Sequence, residues 1–443
     1  MELIDLVLDI AALPAEKIPG GVRQVAQASL MDWITCGRAG AGEPLAGKLH
    51  QFAASEGGNG TASLFGGGRA PARMAALVNG AISHALDFDD THFDHVGHLS
   101  VGIYPAALAV GEETGATGQA VADAFALGAE AAIRIGRVLG AGHYNRGFHQ
   151  TATAGAFGAT VAAGRLRGLD RERMRAAIGL CATRASGLKS QFGTMGKPYN
   201  AGIAASNGVE CSALAASGFT SADDGLTGDQ GFIPTHGEGL STDAAFEGGI
   251  PPESFRLLDN QYKFHACCHG THAMIEALLP LAADGLAAGR VRSLRLFTNP
   301  RWLRVCDIKR PRTGLEVKFS YAWLAGMVLN DIPTGDDRRY TDDLAAEPRL
   351  SEFAGKVTVE GDESLTDLQA RCEIVLDNGE TQDAVHDLAD RLPADVLLAR
   401  LREKAHALVP GGAEAIIARV GALADCDAAA LARLLDRDAG SIR

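Results

Sequence analysis

The chain carries no excess of positive charge: 41 lysines and arginines stand against 54 aspartates and glutamates, a formal net charge of -13 with pI near 5.5. Nucleic acids and anionic membranes need a basic footprint, so neither is expected as the main partner. No apolar run is long enough to span a bilayer, and Met1-Glu2-Leu3-Ile4-Asp5 is not a basic stretch leading into an apolar one. The expected setting is cytoplasmic. The eight cysteines include no CxxC pair and are scattered through the chain, which argues against a disulfide framework and against structural zinc. Nucleotide fingerprints, nucleophile elbows and Schiff-base cofactor motifs are also missing.

What is present is enough apolar material for a sizeable core. At 443 residues and 47% hydrophobic, the chain exceeds the size at which one core normally keeps growing, so two domains are expected. From Val22 to about Gly218 it reads as helices joined by glycines, rich in Ala and Gly that permit close helix approach. One helix follows an N-cap at Thr117; others are predicted over Val22–Gly37, Ala72–Leu86, Thr151–Gly164, Arg171–Gly187 and Gly202–Gly218. After about Asn260 strand-like runs appear at Val291–Phe297, Val357–Val359 and Cys372–Leu376, with Asn378-Gly379 offering a type I′ hairpin turn. Helical pattern returns behind Pro393, at a first helical position. The expected domains are therefore 1–260 with 394–443, all helical, and 261–393, smaller and α+β.

Four polar clusters interrupt this apolar pattern. The first, Asp87 to His98, mixes acids and imidazoles as general acid–base sites do, because a carboxylate can fix an imidazole tautomer. Its alternatives are a solvated loop, or a zinc or manganese site built on His92, His95 and His98. The second, His143 to His149 with Tyr144 inside it, precedes a helix whose N-terminal dipole would keep His149 neutral, as suits a base; a structural histidine is the alternative. The third presents Lys197 just ahead of a helix starting near Asn200, where an anion would sit; it fails the phosphate-loop pattern because Pro198 follows the lysine, and a surface lysine is the alternative. The fourth, Tyr262 to His272, again leads into an apolar helix, and its adjacent Cys267-Cys268 does not match zinc spacing. Together they point to an acid–base site for an anionic substrate.

In this order, His84-Ala85-Leu86-Asp87-Phe88-Asp89-Asp90-Thr91, Gly147-Phe148-His149, Gly196-Lys197-Pro198, Lys263 with Thr271-His272, and Lys318-Phe319-Ser320 resemble the MmgE/PrpD family over essentially the whole chain. That family includes 2-methylcitrate dehydratase, cis-aconitate decarboxylase and iminodisuccinate epimerase. The resemblance implies a mostly α protein: a large all-helical domain built from both chain ends, a smaller α+β lid, a homodimer, and no metal or other cofactor. It places Asp87, Thr91, His98, His149, Lys197 and Lys263 at active-site positions. Of the site residues, His149, Lys197, Tyr144, Asp87 and His98 are expected to be catalytic, and Thr91, His92, Lys263, Cys268 and His272 to bind a small di- or tricarboxylic acid. Cys268 and Trp323 stand where the decarboxylase has histidine and tyrosine, and His98-Leu99-Ser100-Val101 departs from the dehydratase pattern. The long His92–His98 loop looks more like the epimerase branch. The leading expectation is thus epimerisation α to a carboxylate, with Lys197 and Tyr144 or His149 on opposite faces. A dehydratase or decarboxylase of the same family, or a non-catalytic carboxylate-binding protein, are the alternatives.

Overall fold

The computed structural model describes residues 1–237 and 239–436. The fold is mostly α and divides into two compact units: Met1–Tyr262 together with the chain from Leu397 onward, and Lys263–Val396.

The first unit is helical: α1 (Leu3–Ala12), α2 (Gly20–Gly40), α3 (Pro44–Glu56), α4 (Ala72–Ser83), α5 (Ser100–Thr114), α6 (Gly118–Arg146), α7 (Thr153–Leu166), α8 (Arg171–Arg184) and α9 (Gly196–Ala216). Caps fix several starts. Thr117 accepts the Ala120 N–H at α6, and Asp170 accepts the Arg173 N–H at 2.9 Å at α8. The expected start of α9 near Gly202 is corrected by six residues, so Lys197 lies inside the first turn. Pro198 misled the sequence reading; proline is tolerated in a first turn because its missing N–H would be unpaired there anyway. Gly140 (φ 58) breaks α6 and redirects the segment that carries His143 and Tyr144.

Small residues set the helix crossings that matter most here. A Cβ on Gly80 of α4 would fall 2.8 Å from the Gly202 Cα of α9, and one on Gly202 would fall 2.3 Å from the Leu77 carbonyl oxygen. Backbone therefore meets backbone where α4 and α9 cross. This fixes the C-terminal end of α4 relative to the N-terminal end of α9. Among the described residues no helix is long and apolar enough to cross a membrane.

The second unit holds a four-stranded sheet in the order Val357–Gly361, Val291–Thr298, Gln369–Leu376, Thr381–Asp387. Its first pair is parallel and the others antiparallel, and the helix His272–Ala283 packs on the last two strands. Strand Gln369–Leu376 alternates buried and half-buried residues, the signature of a sheet with one covered face. The hairpin expected as type I′ is different. Only Gly379 takes positive φ, Gly379 N–H donates to Leu376 O, and Asn378 spends its side chain accepting the Glu380 N–H. A type I′ turn needs positive φ at both central residues, and a four-residue connection removes that need.

Candidate active site

Four elements of the first unit deliver side chains to one place. His84 caps the C-terminus of α4, Asp87, Asp89 and His98 lie in the loop from α4 to α5, His149 precedes α7, and Lys197 is in the first turn of α9. They form a chain of alternating charge. Lys197 Nζ is 2.7 Å from Asp87 Oδ1, and His98 Nε2 is 3.4 Å from the same oxygen. His98 Nδ1 is 2.7 Å from Asp89 Oδ2, and His84 Nδ1 is 2.8 Å from Asp89 Oδ1. Each Asp89 oxygen thus faces one imidazole.

The buried and open ends differ. Asp89 and His84 are fully buried, whereas the Asp87 side chain is half exposed and Lys197 is 15% exposed. Burial alone would raise the Asp89 carboxyl, but His84 and His98 overcome it and hold it well below the usual range. Burial pushes His84 down to about 4, despite Asp89, so it is a neutral ring with its proton on Nδ1. Asp89 Oδ2 lies against His98 Nδ1 and Asp87 Oδ1 faces His98 Nε2, so one imidazole stands between two carboxylates, a setting in which it can carry a proton.

The loop backbone is held for this purpose. Asp87 has φ 51 and Val96 φ 53, left-handed values that cost free energy in non-glycine residues and most in a β-branched one. Asp90 anchors the other side of the loop: it accepts the Ser100 N–H at 3.0 Å and the Ser100 hydroxyl at 2.5 Å at the start of α5, and the Asn260 amide at 2.7 Å. Three consecutive residues thus take three directions: Asp87 toward Lys197, Phe88 inward, and Asp89 toward the imidazoles.

His149 is buried, and burial, with further lowering from His84 and Lys197, holds it well below the usual histidine range. Its Nδ1 accepts from the Asn200 amide at 3.2 Å, and that amide also donates to the Leu188 carbonyl at 3.2 Å. The proton therefore sits on Nε2. In this arrangement His149 presents a donor at Nε2, on the ring side away from Asn200. The Phe192 ring lies edge-on to His149 at 5.0 Å, and Lys197 Nζ is 5.5 Å from the same ring centroid.

Tyr144 lies under Lys189, whose Nζ is 3.4 Å from the ring centroid and donates to the Tyr144 carbonyl at 3.0 Å. The break at Gly140 turns it that way. His92 is buried, accepts the His95 N–H on Nδ1 at 3.2 Å, and so donates from Nε2 to the Arg256 carbonyl at 2.9 Å. Both ring nitrogens are occupied, so the expected binding role is corrected to holding the loop. Thr91 pairs through its backbone with Gln261, N–H to O at 2.8 Å in both directions.

The second unit carries Lys263, Cys268 and His272. Lys263 is buried, Cys268 is half-buried with its N–H on the Lys318 carbonyl at 3.0 Å, and His272 opens the helix His272–Ala283 beside His265 and His269, at 5.0 and 4.7 Å between ring centroids. Burial holds His272 well below the usual range. Cys267 Sγ is 3.1 Å from the Thr271 hydroxyl, a local hydrogen bond.

His84, Asp87, Asp89 and His98 each place one ligand atom within 4.8 Å of the others, close enough to hold a metal ion, whereas His92 and His95 of the expected triad are turned to backbone carbonyls. In the cluster, however, each carboxylate already faces N–H donors, and the Lys197 ammonium holds the open end. An ammonium 2.7 Å from Asp87 Oδ1 competes with any cation for that oxygen.

Sequence reasoning missed three members: Asp89, His84 and Asn200. The signal was partly present. His84 and Asp89 lie in the first quoted motif, five residues apart.

A two-domain, mostly helical protein with an imidazole–carboxylate–lysine cluster at converging helix ends defines the class. The chain belongs to the MmgE/PrpD family: the N-terminal domain of that family matches residues 5–244 and the C-terminal domain residues 265–419. It is 29% identical over 280 residues to cis-aconitate decarboxylase of Aspergillus terreus, covering 60% of this chain and 57% of that protein. It is 27% identical over 355 residues to the cis-aconitate decarboxylase-like protein oryM of Aspergillus oryzae, covering 73% and 72%. To cis-aconitate decarboxylase of Mus musculus it is 26% identical over 264 residues, covering 57% and 50%.

Proposed function

We propose that this chain is a lyase for a small di- or tricarboxylic acid, working without metal or cofactor and transferring a proton at the carbon next to a carboxylate. The observation that carries the reading is the line Lys197–Asp87–His98–Asp89, ammonium at the open end and oriented imidazole behind it. Three side chains supply the chemistry. The Lys197 ammonium attracts a substrate carboxylate. His149 Nε2–H donates to an oxygen whose charge grows during reaction. His98 Nε2 gives or takes the proton, with Asp89 holding the far side of its ring.

Both lyase outcomes balance with these groups. Loss of CO2 leaves its bonding electron pair on the adjacent carbon, which then takes a proton. Loss of water removes a carbon-bound proton to a base and delivers a proton to the departing hydroxyl. The named activity of the relatives favours a lyase over the epimerisation expected from the loop, and the turning of Tyr144 toward Lys189 weakens a two-base mechanism that used it. Epimerisation stays as the second reading because Lys197 and His149 flank Phe192 from different elements. We further propose a homodimer, which sedimentation would test.

The experiment is a panel of cis-aconitate, hydroxy-tricarboxylates and amino-dicarboxylates followed by proton NMR. A lyase yields an unsaturated acid with loss of CO2 or water. Formation of an epimer without either loss would favour the second reading, and thermal stabilisation without turnover would favour a binding protein. Metal analysis of protein purified without added metal should find less than stoichiometric zinc, iron or manganese; a full equivalent would overturn the metal-free assignment.

A further inference from the structure

Lys404 is a buried ammonium that the mechanism above does not use. It sits on the helix Ala394–Leu408, 5% exposed, and makes two hydrogen bonds: to Asp32 Oδ1 of α2 at 2.5 Å, and to the Phe88 carbonyl at 2.6 Å. Its Nζ also lies 4.1 Å from the centroid of the Phe88 ring. Burying an ion pair is seldom justified by stability alone, because a well-packed apolar pair of similar volume does as well or better. An apolar pair cannot hold a carbonyl, however. The carbonyl in question belongs to the one residue between Asp87 and Asp89.

We propose that Lys404 is a positioning residue that pins the acidic loop from behind, so that Asp87 and Asp89 face Lys197 and the imidazoles. The proposal rests on the reading that this loop is catalytic. Asp87 is held at φ 51, a conformation that persists only when its neighbours are fixed. Asp90, bound to Ser100 and Asn260, fixes the loop on the downstream side. Lys404 fixes the Phe88–Asp89 peptide, one peptide beyond Asp87. Burial opposes both charges and lifts the Asp32 carboxyl to about 7, but Asp32 and Asp89 beside Lys404 keep the ammonium favoured, so its bond to the Phe88 carbonyl is charge-assisted.

The test is hydrogen–deuterium exchange with steady-state kinetics on the full chain. In the wild-type protein, amides of the Asp87–Asp90 segment should exchange no faster than those around Lys404; independent, faster exchange would overturn the proposal. In Asp32→Asn/Lys404→Met, which removes both charges together, exchange in that segment should rise at least tenfold and kcat should fall at least tenfold, with KM moving less than threefold. Asp32→Asn alone keeps the Phe88 tether and should leave loop exchange within threefold of wild type. If the double variant does not fold, the fully apolar Asp32→Leu/Lys404→Met carries the same comparison. A folded double variant with wild-type loop exchange and kcat would refute the role. Exchange needs no substrate, so a wild-type protein that turned over none of the acids would defeat the functional reading while leaving the tether to be judged by exchange.

Discussion

Lys197 holds the open end of the polar line, and its removal separates a working ammonium from a surface one. Lys197→Ala should lower turnover by a factor on the order of 10² to 10⁴ with the fold intact, as for a positioned acid–base group. Kinetics beside circular dichroism check this; near-normal kcat and KM would remove Lys197 from the site. Asp89→Asn is expected to cost roughly 10²-fold in kcat, because a neutral amide removes the negative charge that lies between His84 and His98. An unchanged pH–rate profile in that variant would contradict the orienting role. Lys197, Asp87 and His98, which the family resemblance named, lie together in the cluster; dense charge and imidazole alone pointed only to the runs that hold them. Asp89 and His84 were not singled out, since density does not say which member of a run turns inward. Tyr144 and His92 were misplaced for the same reason: the Gly140 break and the Arg256 carbonyl that claim them are distant in the sequence.

At the scale of elements, the α4–α9 crossing joins the His84 end of one helix to the Lys197 end of the other. Gly202→Ala would drive a Cβ to 2.3 Å from the Leu77 carbonyl oxygen and force the helices apart. We expect a loss of about 1–3 kcal/mol of stability, together with a fall in kcat, seen by denaturant melts and kinetics. Gly47→Ala in α3, where nothing lies within 4 Å, should be neutral or slightly stabilising. Equal responses at the two glycines would mean that the crossing does not set the site. Helix existence was readable from spacing and caps such as Thr117. The start of α9 was not, because Pro198 reads as a boundary whether it lies before a helix or in its first turn. The hairpin turn was misread because Asn-Gly serves both a two-residue turn with positive φ at each position and a four-residue connection in which only the glycine takes it.

Across the whole molecule, buried histidines give the fold an acid limit. Burial holds His84 near 4, His95 near 3 and His143 near 4, against 6.5 for the free group. An unfolded chain takes up these protons below about pH 6.5, while the folded chain refuses them until about pH 4 or lower. Their contribution is therefore complete above pH 6.5 and is lost as pH falls toward 3. Melting temperature should drop steadily from pH 7 to pH 5, and a flat profile would show that these rings are not held neutral. The two-domain plan was legible from the change of pattern near Asn260, and the family from five motifs in order. The reaction was not legible, because pocket shape selects among similar acids and no spacing reports it. The most direct test of the account is turnover of the acid panel in deuterated water, read by NMR. The account predicts, in wild type and not in Lys197→Ala, either loss of CO2 with solvent deuterium entering the carbon that bore it, or loss of water with a proton removed from the carbon next to a carboxylate. No turnover of any acid, or loss of CO2 without solvent deuterium at that carbon, would contradict it.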